Sequence, residues 1–110
     1  MLVVTPIFED KQDKIPAVSH MGTGRLQTIR KEWNPHYYGI VEKFGQATGI
    51  PILMNTSFNL RGEPIVADHR DAYHAFLMSD LDIVVLGRCV VAKPGVDLDL
   101  FDKSVNAVPA

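Results

Sequence analysis

Apolar positions along this chain fall into short runs and helical stripes separated by polar loops, and their spacing predicts an alternation of strands and helices. Met1 to Phe8 is apolar and strand-like. Native termini are normally polar or loosely ordered, so this start leads to the expectation that the sequence opens inside a larger domain. Glu9 to Lys14 reads as a charged, mobile connection. Leu26-Gln27-Thr28-Ile29 alternates apolar and polar residues, which predicts a strand with one covered face. Asn34-Pro35 is a helix-start signal, with Asn at the N-cap and Pro in the first helical position. Tyr37, Ile40, Val41, Phe44 and Ala47 follow at helical spacing, Gly49 reads as the C-cap and Pro51 lies just beyond it.

Ile50 to Met54 is an apolar run that predicts a buried strand, and it feeds the polar stretch Asn55 to Pro64. Asp68 is a second N-cap candidate, with Asp71 in the first helical turn, where it suits the positive end of the dipole. Ala72, Ala75, Phe76 and Ser79 mark that helix's packing face. Asp82 to Gly87 and Arg88 to Lys93 predict two strands joined by a tight turn. The expected fold class is α/β or α+β: a mixed twisted sheet with two main helices. The expected organisation is one domain over residues 1–93 and a polar tail over 94–110, poorly ordered unless a partner holds it.

Composition narrows the function classes. The 110 residues suffice for one small domain. A net charge of -2 with scattered basic residues provides no nucleic-acid footprint. No apolar run approaches a membrane span, and the first residues lack the basic region and cleavage site of a signal peptide. The single Cys89 fits a reducing, cytoplasmic compartment, and its apolar surroundings predict a buried, inert thiol.

Two stretches carry candidate chemistry. Gly22-Thr23-Gly24-Arg25 is short of both a Walker loop and a dinucleotide fingerprint. It is either a flexible turn or a seat where Arg25 grips a phosphate or carboxylate. His20 adjoins it and could donate to an anionic ligand, or make a structural hydrogen bond. His36, His69 and His74 are expected at the surface, and no His pair has zinc-ligand spacing.

The second stretch is Asn55-Thr56-Ser57-Phe58-Asn59, after the apolar run. Such residues are ordinary in turns. Their order after a strand also suits ligand binding at the carboxyl end of a sheet. Ser57 and Asn59 share a face in extended backbone, and a hydroxyl beside an amide suits recognition of a phosphate or carbamoyl group. Ser57 lacks the glycines of a nucleophile elbow, so no covalent catalytic residue is assigned. Glu63 and Asp68 are expected to brace or cap.

Taken in order, Pro16-Ala17-Val18-x-His20, Gly22-Thr23-Gly24-Arg25-x-Gln27-Thr28, Asn34-Pro35 and Pro51-Ile52-Leu53-Met54-Asn55-Thr56-Ser57-Phe58-Asn59-x-x-Gly62-Glu63-Pro64-Ile65-Val66 resemble the C-terminal part of the O-carbamoyltransferases of nodulation and antibiotic tailoring. The likeness runs from Met1 to about Lys93. The resemblance implies a Kae1-like N-terminal domain that transfers the carbamoyl group to an alcohol. It also implies a YrdC-like C-terminal domain that makes carbamoyl-adenylate from carbamoyl phosphate and ATP, with Mg accompanying the nucleotide and no metal ligands in this segment.

By that resemblance Ser57 and Asn59, with Asn55 and Thr56, belong to the substrate- and nucleotide-binding site, and Arg25 and His20 add contacts to phosphate or carbamoyl groups. The sequence departs from the pattern in three places. His20-Met21-Gly22 lacks an Asp and is one residue short, and His69 replaces a Pro; by the resemblance, the Kae1-like and first YrdC-like regions are expected to be missing from this sequence. Those missing regions are the expected partners, and the isolated chain is expected to be inactive. The alternative is a truncated, non-catalytic module that forms a homo-oligomer or binds a partner subunit.

Overall fold

The structure, a computed structural model, describes residues 3–97. The chain divides into two compact units, one running to Thr56 and the other beginning at Ser57.

The first unit contains β1 (Val4–Pro6), α1 (Glu9–Gln12), β2 (Thr23–Arg25) and α2 (Pro35–Thr48). β1 pairs antiparallel with β2 in the register Val4↔Arg25 to Pro6↔Thr23. The expected strand at 1–8 is therefore Val4–Pro6, and Met1 and Leu2 lie outside the described residues. The stretch expected to be a mobile connection folds into α1, whose Gln12 Nε2 donates to Ile7 O at 3.0 Å. β2 is the glycine segment itself, and residues 26–30 form no regular element. The expected covered face is not formed either: Leu26 is 63% exposed, Gln27 and Thr28 are exposed, and Ile29 alone is half-buried.

α2 starts and stops as its sequence dictates. Asn34 Oδ1 accepts from Tyr37 N at 3.1 Å, and Pro35 opens the helix. Gly49 closes it in the left-handed region at φ 80°, which glycine adopts without a Cβ clash. The run Ile50–Met54 is not a paired strand. Pro51 has no N–H to offer a ladder, and Ile52 N donates to Ile50 O at 2.9 Å in a tight local turn.

The second unit contains α3 (His69–Leu77), β3 (Ile83–Leu86) and β4 (Cys89–Ala92). Asp68 caps α3: one carboxylate oxygen accepts from Arg70 N and Asp71 N, each at 2.9 Å. Asp71 returns the arrangement by accepting from Ala67 N at 3.3 Å. β3 and β4 form an antiparallel hairpin whose pairing Leu86↔Cys89 leaves Gly87 and Arg88 as the loop. Gly87 at φ 60° supplies the positive φ that tight hairpin turns require. α3 packs on β3 through Ala72, Ala75, Phe76 and Val84, the buried hydrophobic residues among those described.

The fold is α+β with two main helices, α2 and α3. Its strands form two separate antiparallel pairs rather than one mixed sheet. Cys89 is exposed, against the expectation of burial, because it sits beside the hairpin turn on the outer strand. The tail's residues 98–110 lie outside the described residues. Among the described residues no helix is long and apolar enough to cross a membrane.

Candidate functional site

The β1–β2 ladder and the turn that precedes β2 place the first two expected site residues. His20 and Thr23 exchange backbone hydrogen bonds of 2.8 and 2.9 Å across Met21 and Gly22. Both turn residues have positive φ, 50° for Met21 and 75° for Gly22. That is the backbone of a two-residue primed turn, which asks for Asn or Asp before its Gly. The segment therefore closes as a tight turn that continues into the ladder. Thr23 Oγ1 adds a bond to His20 O at 2.8 Å.

A cavity of about 720 Å³ lies within the first unit. His20, Arg25, Gln27 and Asn55 contribute polar groups to its wall, and Val4, Ile7, Val18, Ile29, Val41 and Leu53 are among its apolar lining. Gly24 faces a crowded wall: a Cβ there would stand 3.2 Å from Ile7 Cδ1. The ion pair recorded among the described residues is Lys11–Asp10, so the exposed Arg25 guanidinium is not held by a carboxylate there. Asn55 Nδ2 donates to Gln27 Oε1 at 2.8 Å. A second cavity of about 580 Å³ is lined by Gln27, Thr28, Ile29 and the α2 residues Tyr38, Val41, Glu42 and Gly45.

Thr56 ends the first unit, and Ser57 and Asn59 belong to the second. All three are exposed, and none is among the lining residues of the larger cavity. Asn59 is committed to its own loop. Its Nδ2 donates to Leu60 O at 3.1 Å and Glu63 O at 3.0 Å, while Glu63 N donates to Leu60 O at 3.0 Å around Gly62 at φ 85°. Val66 N donates to Phe58 O at 3.0 Å and closes the loop. The Ser57 hydroxyl is exposed and makes no hydrogen bond among the described residues. His36, His69 and His74 are exposed on their helices, where surface positions were expected.

Of the expected site residues, the cavity gathers His20, Arg25 and Asn55. It adds Gln27, which the sequence reading did not place in the site. The signal was available: Gln27 follows Arg25 by two, and residues so spaced in extended backbone share a face. Among the described residues no three His, Cys, Asp or Glu side chains gather into a metal-holding group.

The chain matches known proteins over most of its length. The family model described as carbamoyltransferase C-terminus covers residues 1–93. Nodulation protein NolNO of Sinorhizobium fredii is 44% identical over 94 residues, covering 84% of this chain and 14% of that protein. Nodulation protein NolO of Bradyrhizobium diazoefficiens is 38% identical over 110 residues, 99% of this chain and 20% of that protein. An uncharacterized protein of Methanocaldococcus jannaschii is 42% identical over 94 residues, 82% of this chain and 18% of that protein. The chain thus spans no more than a fifth of the length of these relatives. With 93 of its 110 residues under one family model, this chain belongs to the carbamoyltransferase C-terminus family.

Proposed function

We propose that this chain supplies part of the site where a carbamoyl group is activated as carbamoyl-adenylate, from carbamoyl phosphate and ATP, for transfer to an alcohol. Family membership supports the carbamoyl chemistry. The observation that carries the site reading is the cavity wall with His20, Arg25 and Asn55 over an apolar floor. Adenylate formation displaces pyrophosphate from the α-phosphate of ATP. Its demands are alignment of the reacting groups and neutralisation of charge, and neither needs a covalent nucleophile. Arg25, free of a carboxylate partner among the described residues, can take a phosphate in a two-pronged hydrogen bond. His20 stands beside it on the same wall.

The test is titration of the 110-residue chain with carbamoyl phosphate, followed by NMR. Saturable shifts confined to the cavity wall are expected. Arg25→Ala should weaken binding roughly 10- to 100-fold, the scale of a hydrogen bond to a charged group. Absence of saturable shifts in the unmodified chain would end the proposal.

A second reading, a non-catalytic module that associates with itself or a partner subunit, draws on exposed apolar surface. Ile40 and Phe44 lie on one side of α2, and Val85 and Val90 face each other across the hairpin, 63% and 53% exposed. Large exposed apolar patches favour association. Light scattering tests the self-association: a monomer at all concentrations removes that half of the reading and counts against the rest.

A further inference from the structure

The larger cavity contains an amide pair that a phosphate-binding role alone leaves without a purpose. Gln27 and Asn55 come from segments 28 residues apart, and a hydrogen bond of 2.8 Å joins their side chains. A primary amide carries an NH₂ donor and a carbonyl acceptor. The bond consumes one N–H of Asn55 and one lone pair of Gln27. Neither side chain has another hydrogen-bond partner among the described residues. The Asn55 carbonyl oxygen and the Gln27 NH₂ therefore remain available on the same cavity wall. Turning both amides over preserves the pattern: Gln27 donates, and the free groups become its own carbonyl and the Asn55 NH₂. Either way one donor and one acceptor are presented together.

A carbamoyl group has the complementary edge, since one carbon bears both an accepting oxygen and a donating NH₂. An acetyl group keeps the oxygen and lacks the donor. Inorganic phosphate has no such planar edge. We propose that Gln27 and Asn55 are a specificity pair that reads the carbamoyl group and rejects other acyl phosphates. This rests on the proposal that the cavity binds carbamoyl phosphate. Arg25, two residues before Gln27 on the same wall, takes the phosphate end. The mutual hydrogen bond holds both side chains in place before the ligand arrives, which lowers the ordering cost of binding.

The test compares carbamoyl phosphate, acetyl phosphate and inorganic phosphate as ligands of the 110-residue chain by calorimetry. Carbamoyl phosphate should bind roughly tenfold more tightly than acetyl phosphate, because acetyl leaves the acceptor of the pair unanswered. In Asn55→Leu and Gln27→Met the ratio should fall to about one, with affinity for acetyl phosphate and inorganic phosphate retained. Gln27→Asn keeps the amide and shortens its reach, so it should lose the ratio without introducing an apolar side chain. Arg25→Ala should weaken all three ligands alike and preserve the ratio. A tenfold preference surviving in folded Asn55→Leu and Gln27→Asn overturns the specificity pair and leaves the anion site standing. Equal binding of the two acyl phosphates by the unmodified chain does the same. If none of the three ligands binds, the underlying site reading falls and the pair falls with it.

Discussion

Met21 is the one described non-glycine residue with a positive φ, at 50°, and it is 91% exposed. The left-handed region costs an ordinary residue about 1–2 kcal/mol, and Asn tolerates it better through local hydrogen bonding. Met21→Asn should therefore raise stability by about 1 kcal/mol, seen as a higher midpoint in urea. No change in the midpoint would mean that the turn is not formed in solution. Asp68 is the other residue whose chemistry is set locally. The hydrogen bond from Asp71 N is the main cause that holds its carboxyl below the ordinary value of 3.8, with the bond from Arg70 N adding to it. A folded-state value below the unfolded one means the cap stabilises fully above that ordinary range. The contribution is lost as pH falls through the lower folded value. Acid unfolding monitored on α3 should show this loss in the unmodified chain and lack it in Asp68→Asn.

At the scale of elements, α2 contains two glycines with opposite expected behaviour. A Cβ at Gly45 would come 2.7 Å from Pro51 Cβ and 3.0 Å from Pro51 Cα, whereas a Cβ at Gly39 meets nothing within 4 Å. Gly39→Ala should stabilise the helix by about 1 kcal/mol through propensity alone. Gly45→Ala gains the same propensity but pushes Pro51 away, and overpacking of that kind costs about 1–3 kcal/mol. Thermal unfolding of the two variants should move in opposite directions.

The same helix shows what the sequence made legible. Both caps, Asn34 and Gly49, are local devices, and local devices can be read from a few adjacent residues. The Asp68 cap and the α3 packing face were legible for that reason too, as was the β3–β4 turn. What eluded reading was pairing. The run Ile50–Met54 has the apolarity of a strand, but Pro51 and the Ile50–Ile52 turn remove its ladder. The pattern at 26–29 produced neither a strand nor a covered face, since Leu26 is 63% exposed. Arg25 and His20, which line the larger cavity, were legible from the glycine segment. The spacing of Gln27 from Arg25 was legible too, but its hydrogen bond with Asn55 was not, because that contact is long-range. The Asn59 amide ties its own loop together through Leu60 O and Glu63 O, partners that no motif announces.

Across the whole molecule, burial is uneven. The buried hydrophobic side chains among the described residues are Ala72, Ala75, Phe76 and Val84, and all belong to the second unit. Phe76 is 2% exposed and is the anchor of that cluster, with Lys93 Nζ 5.4 Å from its ring centroid. Truncating a buried Phe to Ala costs about 3–5 kcal/mol, comparable to the total stability of a core this small. Phe76→Ala should therefore abolish cooperative unfolding of the second unit, monitored by the near-ultraviolet signal. The first unit's described side chains are half-buried or exposed throughout. Its backbone bonds are thus sheltered by side chains that water can reach. Placed in heavy water, the β3–β4 amides should keep their protons longest and those of β1 and β2 should trade them within a much shorter time. A ligand seated against Arg25 should slow that loss in the first unit, which turns isotope uptake into a label-free report of occupancy.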